Sequence, residues 1–172
     1  MRGRWALFFA LALVPVTAGC ESSTEGSATP SSIAPEALFN PCVVPDGVVV
    51  AAGADPASKN DNPFGTPRTG WVGCRWLADR YALRIFATTK TIDEFRANDY
   101  FKDFREADLA GRQAVTFAEG RETPPGNCSV AYPTSQGTIQ FLVSKDVTLA
   151  ELPDPCEIVL RAARSADQSI PR

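Results

Sequence analysis

Two arginines and two aromatic residues, Arg75, Arg84, Trp71 and Phe86, form the best-defined chemical constellation in this 172-residue chain. Apolar side chains alternate through Cys74, Trp76, Leu83 and Ile85 about Asp79-Arg80, the pattern of a β-hairpin that turns there. That register sets Ala78 against Tyr81 and Arg75 against Arg84, with both arginines on the face away from Trp76 and Leu83. Like charges directly across a ladder cost about 0.2–1 kcal/mol, so a compensating group is expected. The plain compensation is a carboxylate from Asp103, Glu106 or Asp108, or solvent. The sharper expectation is a small face for an anion or a sugar. Guanidinium suits carboxylate or phosphate, and an aromatic ring suits the apolar side of a sugar.

Other chemistry is largely excluded. The chain has no histidine, which removes Ser-His-Asp and Cys-His catalysis and the commonest metal ligand. Ser144-Lys145 are neighbours on an expected strand and point to opposite faces. Ser58-Lys59 sits in an expected loop with nothing to orient it. Asp93 and Glu94 are explained by a helix start, where acids are favoured. Asp103, Glu106 and Asp108 read as a solvated charged stretch. A carboxylate-based hydrolase is therefore the minor reading, and a non-enzyme without metal or cofactor is the expectation.

Five cysteines remain to be placed. With Cys20 set aside, Cys42, Cys74, Cys128 and Cys156 form an even set, normally a disulfide framework in an exported chain. A four-cysteine zinc site would show close Cys-x-x-Cys pairs, which these wide spacings do not. Of three connectivities, Cys42–Cys74 and Cys128–Cys156 is expected, because each bond closes a local loop and fastens a helix start to a strand.

The elements that must carry these residues can be read in outline. Asn40-Pro41-Cys42 and Asp154-Pro155-Cys156 each place a capping side chain, a proline at the first helical position and a cysteine in the first turn. Pro45 keeps the first of these helices short. Glu157 follows Asp154 at capping-box spacing, and Cys156, Val159, Leu160, Ala163 and Ala166 share a face. Thr91 and Glu94 announce another capping box, with Ile92 and Phe95 inward. Residues 53–70 are crowded with Pro, Gly, Asn and Asp and read as a long loop. Val115 and Phe117 mark a strand, and Cys128, Val130 and Tyr132 pair with Ile139, Phe141 and Val143 across a turn ending in Gly137. The fold class expected is α+β: an antiparallel sheet of hairpins with helices packed on one face, stapled by two disulfides.

Upstream, residues 1–19 read as a secretory leader: Arg2 and Arg4, an apolar run from Trp5 to Val14, then small residues before Cys20. The run is about half the roughly 20 residues that span a membrane. Val16-Thr17-Ala18-Gly19-Cys20 resembles the lipobox of bacterial lipoproteins, although Thr17 stands where leucine is usual. The resemblance implies a thiol at Cys20 that is acylated, with palmitate among the expected chains, and becomes residue one. Residues 20–34 are then the lipidated cysteine and a Ser/Thr/Pro-rich tether reaching roughly 20 Å as a random coil, and 35–172 form a single extracytoplasmic α+β domain. Of 17 Lys+Arg, Arg2 and Arg4 fall in the leader, so 15 face 20 Asp+Glu in the mature chain. That acidic balance argues against nucleic acid as a partner.

The lipobox, the tether, Pro41-Cys42, Cys74-Arg75-Trp76, Asn127-Cys128 and Asp154-Pro155-Cys156 together resemble the actinobacterial lipoproteins grouped as domain-of-unknown-function family 3558, over residues 35 to 168. The resemblance implies a lipid anchor on the outer face of the plasma membrane and brings no activity with it. Two readings lead: a ligand-binding or sensing module for a cell-envelope component, or an accessory protein that docks onto another envelope protein, where confinement raises effective concentration.

Overall fold

The computed structural model describes residues 33–121, 126–145 and 153–172. The expected leader (1–19), Cys20 and nearly all of the expected tether lie outside the described residues.

Seven antiparallel strands form one sheet: β1 Asp55–Asn60, β2 Trp71–Leu77, β3 Tyr81–Thr88, β4 Phe101–Leu109, β5 Arg112–Glu119, β6 Asn127–Thr134 and β7 Gly137–Lys145, in the spatial order β1-β2-β3-β7-β6-β5-β4. The hairpins carry the expected registers. Ala78 N–H donates to the Tyr81 carbonyl at 2.9 Å, and Arg75 stands opposite Arg84. Cys128, Val130 and Tyr132 face Val143, Phe141 and Ile139.

Side chains alternate between two faces, and each face has its own packing. On one, Cys74, Trp76, Leu83, Ile85, Val130, Tyr132, Ile139, Phe141 and Val143 bury against Val48 and Val49 of α1 (Asp46–Ala51) and Ile158, Val159, Ala162 and Ala163 of α3 (Pro155–Ser165). Burial of each large apolar side chain contributes roughly 1.5–3 kcal/mol. The other face holds a smaller cluster of Phe95, Val115, Phe117 and Ala131, capped by the five-residue α2 (Ile92–Arg96).

Both disulfides form in the expected pairing, Cys42–Cys74 across 32 residues and Cys128–Cys156 across 28. Cys42 lies in a 3-10 turn, Pro41–Val43, that the bond fastens to β2, and the second bond fastens the first turn of α3 to β6. Loops of this size contribute roughly 3–4 kcal/mol each by chain entropy. Such bonds belong to proteins that fold in an oxidising compartment. No helix among the described residues is long and apolar enough to cross a membrane.

A buried ion pair closes the C-terminus. Arg112 Nε donates to Asp167 Oδ1 at 2.6 Å, while its other nitrogens reach the carbonyls of Asp167, Ile170 and Pro171 at 2.7–3.1 Å. The guanidinium also lies 5.4 Å from the Tyr132 ring centroid.

Four local expectations are corrected. Residues 53–70 are not all loop, because 55–60 pair with β2 as an edge strand through an irregular register. Asp103, Glu106 and Asp108 are exposed, as a solvated charged stretch should be, but they lie in a strand that was not expected, the edge strand β4. Asp154 caps α3 by accepting from Cys156 N–H at 2.9 Å instead of forming a capping box with Glu157. Finally, α1 follows Pro45 as a further short helix: six residues give too few turns for a periodic signal.

Candidate functional site

The second face of the sheet contains a cavity of about 740 Å³, inside the range of about 300–1,000 Å³ usual for small-molecule sites. Its walls come from β2, β3, β4, β5, β7, α2 with its flanking residues, and the segment before β2. Phe64 stacks on Phe86 with centroids 4.8 Å apart, and Trp71 meets both edge-on at 6.2 and 6.0 Å. Edge-to-face geometry of this kind is favoured by the ring quadrupoles. Gly73 makes it fit. A Cβ there would lie 2.5 Å from Phe86 and 2.9 Å from Pro63, so the strand position opposite Phe86 has to be a glycine for the ring to lie flat on β2.

The far wall depends on a bulge. Phe101 and Phe104 are three residues apart and would point to opposite faces of a regular strand. The β4–β5 register shifts between Lys102 and Arg105, with Asp103 at φ 59°, and both rings then contact Phe117 at 5.2 and 5.1 Å. The extra residue re-aims the side chains, as β-bulges do.

At the rim, Thr91 and Glu94 form the expected capping box, with Glu94 N–H to Thr91 Oγ1 at 3.2 Å and Thr91 N–H to Glu94 Oε2 at 2.8 Å. Lys90 Nζ donates to Glu94 Oε1 at 2.6 Å. That hydrogen bond is the largest cause holding the Glu94 carboxyl below its ordinary range. Arg68 lies over the Phe64 ring, 4.6 Å from its centroid.

The inner end is polar. Glu119 Oε1 accepts from Gln140 Nε2 at 2.6 Å and from Ser129 Oγ at 2.9 Å, and Gln140 Nε2 also donates to Ser129 Oγ at 2.9 Å. Burial pushes the Glu119 carboxyl above its ordinary value, opposed by those two hydrogen bonds and by the charge of Arg84. For Arg84, burial and then the charge of Arg75 lower the pKa, and Glu119 raises it; arginine nevertheless stays protonated. Arg84 Nη1 donates to Ser144 Oγ at 2.5 Å.

Of the four residues singled out from the sequence, Trp71, Phe86 and Arg84 line this cavity and Arg75 does not. Arg75 is half-buried, and its Nε has no hydrogen-bond partner among the described residues. The expected compensating carboxylates are engaged elsewhere: Glu106 pairs with Arg96 at 2.6 Å and Asp108 accepts from Gly111 N–H at 3.1 Å. The negative charge felt by Arg84 is Glu119 instead. Glu119, Gln140 and Ser129 were missed because alternation was read only for the apolar positions. The available signal was polar residues on the opposite phase of strongly apolar strands, Gln140 between Ile139 and Phe141 and Ser129 between Cys128 and Val130.

Among the described residues no group of three or more His, Cys, Asp or Glu could hold a metal ion. A family model described as "Protein of unknown function (DUF3558)" matches residues 15–169. No curated protein and no solved structure matches the chain.

Proposed function

Because the chain belongs to the DUF3558 family, whose description assigns no activity, we propose from its own geometry that it is a ligand-binding module, lipid-anchored at Cys20 on the outer face of the plasma membrane, and not an enzyme. The observation that carries the ligand reading is Glu119. A carboxylate held by Ser129 and Gln140 at the inner end of an aromatic-walled cavity, facing the charge of Arg84, is costly to bury. Buried, perturbed ionisable groups in a concave pocket are the usual mark of a binding site. The other lining carboxylate, Glu94, is tied at the rim to Lys90 and the Thr91 N–H, which disfavours the paired-carboxyl chemistry of glycoside hydrolysis. The anchor rests on the leader and lipobox residues alone.

The test is thermal unfolding of the purified full chain with a small-molecule extract of the cell envelope. The extract is expected to raise the melting temperature of the wild type and not of Ala97→Trp, which narrows the cavity from the exposed end of α2. An equal rise in both, or none in either, removes the reading. For the anchor, Cys20→Ser is expected to leave the membrane fraction or to stay uncleaved. Wild-type processing and retention of that variant would refute it.

A further inference from the structure

We infer that the cavity takes a neutral saccharide unit with adjacent hydroxyl groups. This deepens the ligand-binding reading and rests on it.

The charges at the inner end decide against a simple anion. Arg84 offers only donors, Glu119 already accepts from Ser129 and Gln140, and the two line the same cavity. A carboxylate or phosphate drawn to Arg84 would meet Glu119, so the site does not favour a net negative ligand. A hydroxyl donates and accepts at once. Two adjacent hydroxyls can accept from Arg84 and donate to Glu119 together.

The walls decide against an acyl chain. Seven of the sixteen lining residues are charged or carry an amide, and an alkyl chain would strip water from them without replacing their hydrogen bonds. A sugar ring has a polar rim and an apolar C–H face. Its weakly positive C–H groups suit the negative faces of Trp71, Phe64 and Phe86, while its hydroxyls reach the polar end.

The experiment is tryptophan emission of the full chain in detergent, titrated with maltose, cellobiose, lactose, and mannose and arabinose disaccharides, with glucuronate and dodecanoate as the anionic and apolar probes. Of the three tryptophans, Trp76 is buried on the opposite face and Trp5 falls in the expected leader, so a cavity signal is assigned to Trp71; Trp71→Phe checks that assignment. At least one neutral disaccharide is expected to give a saturable shift, with glucuronate at least tenfold weaker and dodecanoate silent. Glu119→Gln is expected to weaken that binding about tenfold, and Trp71→Ala, which lacks the reporter and is read by titration calorimetry instead, about fivefold. A saturable response to glucuronate or dodecanoate alone overturns the saccharide class while the ligand reading stands. Silence across the neutral panel also overturns it, and the melting comparison with envelope extract decides the ligand reading separately.

Discussion

Arg75 and Arg84 face one another directly across the β2–β3 ladder, yet only Arg84 reaches the cavity. The two guanidiniums therefore differ in what holds them. Arg84 has Ser144 and the charge of Glu119, whereas the Arg75 Nε is without a partner among the described residues.

Replacing them should consequently give opposite effects. Arg75→Met removes the cross-strand repulsion and is expected to stabilise the domain by about 0.2–1 kcal/mol. Arg84→Met loses a hydrogen bond from a charged group and leaves Glu119 without its cation, at a cost of about 1–3 kcal/mol. Urea denaturation of both variants checks this; equal effects would contradict the asymmetry.

Glu119 makes stability depend on pH with a definite sign. Its folded pKa is raised, chiefly by burial, so the folded state binds more protons than the unfolded one between the ordinary carboxylate value and the raised value. Its contribution is fully present below the ordinary value and is lost as pH rises through the raised one. Glu119→Gln is expected to flatten that decline and to be the more stable protein at neutral pH. Denaturation across a pH series reads the slope, and parallel wild-type and variant curves would refute the assignment.

Asp167 acts in the opposite direction. The hydrogen bond from Arg112 holds its carboxyl below the usual range. The stability it contributes is present above the ordinary carboxylate value and lost as pH falls through the depressed one. Arg112 is only 8 % exposed, whereas the partly exposed Asp167 keeps Arg172 at 3.0 Å, so Arg112→Met is expected to cost about 1–3 kcal/mol, chiefly through the carbonyls it leaves unpaired. Amide exchange should show protection lost first in residues 166–170; retained protection there would show that Arg112 does not hold the C-terminus.

The Tyr132 hydroxyl is buried and has no hydrogen-bond partner among the described residues, and burial raises its pKa well above the ordinary phenol value. An orphaned buried hydroxyl costs about 1–3 kcal/mol. Tyr132→Phe keeps the ring against Phe141 and Arg112 and is expected to raise stability by about 1 kcal/mol. A loss on calorimetry would reveal a partner for that hydroxyl.

What the sequence made legible follows from which rules act locally. The β2–β3 and β6–β7 registers were readable because one face of each hairpin is continuously apolar, and a slip of one residue would turn it outward. The Thr91 cap was readable from spacing, and the disulfide pairing from choosing, among three connectivities, local loops that fasten helix starts to strands. The strand β4 was hidden because the bulge at Asp103 breaks the two-residue period that would have joined Phe101 to Phe104. The strand β1 was hidden because turn-forming residues in an edge strand look like loop. The polar end of the cavity required tertiary information: Glu119, Ser129 and Gln140 come from three strands whose pairing brings them together.

The Cys42–Cys74 bond also has a mechanical consequence. A pull on the chain upstream of Cys42 can peel away only the turn before it, because the next link is covalent and lands in β2. From there the load passes into the hydrogen-bonded ladder to β3. Both α1 and β1 lie within the 42–74 loop and are bypassed. Drag on a tethered domain would thus be carried by the sheet, while Glu119 and Gln140, on strands beyond that entry point, keep their geometry under tension.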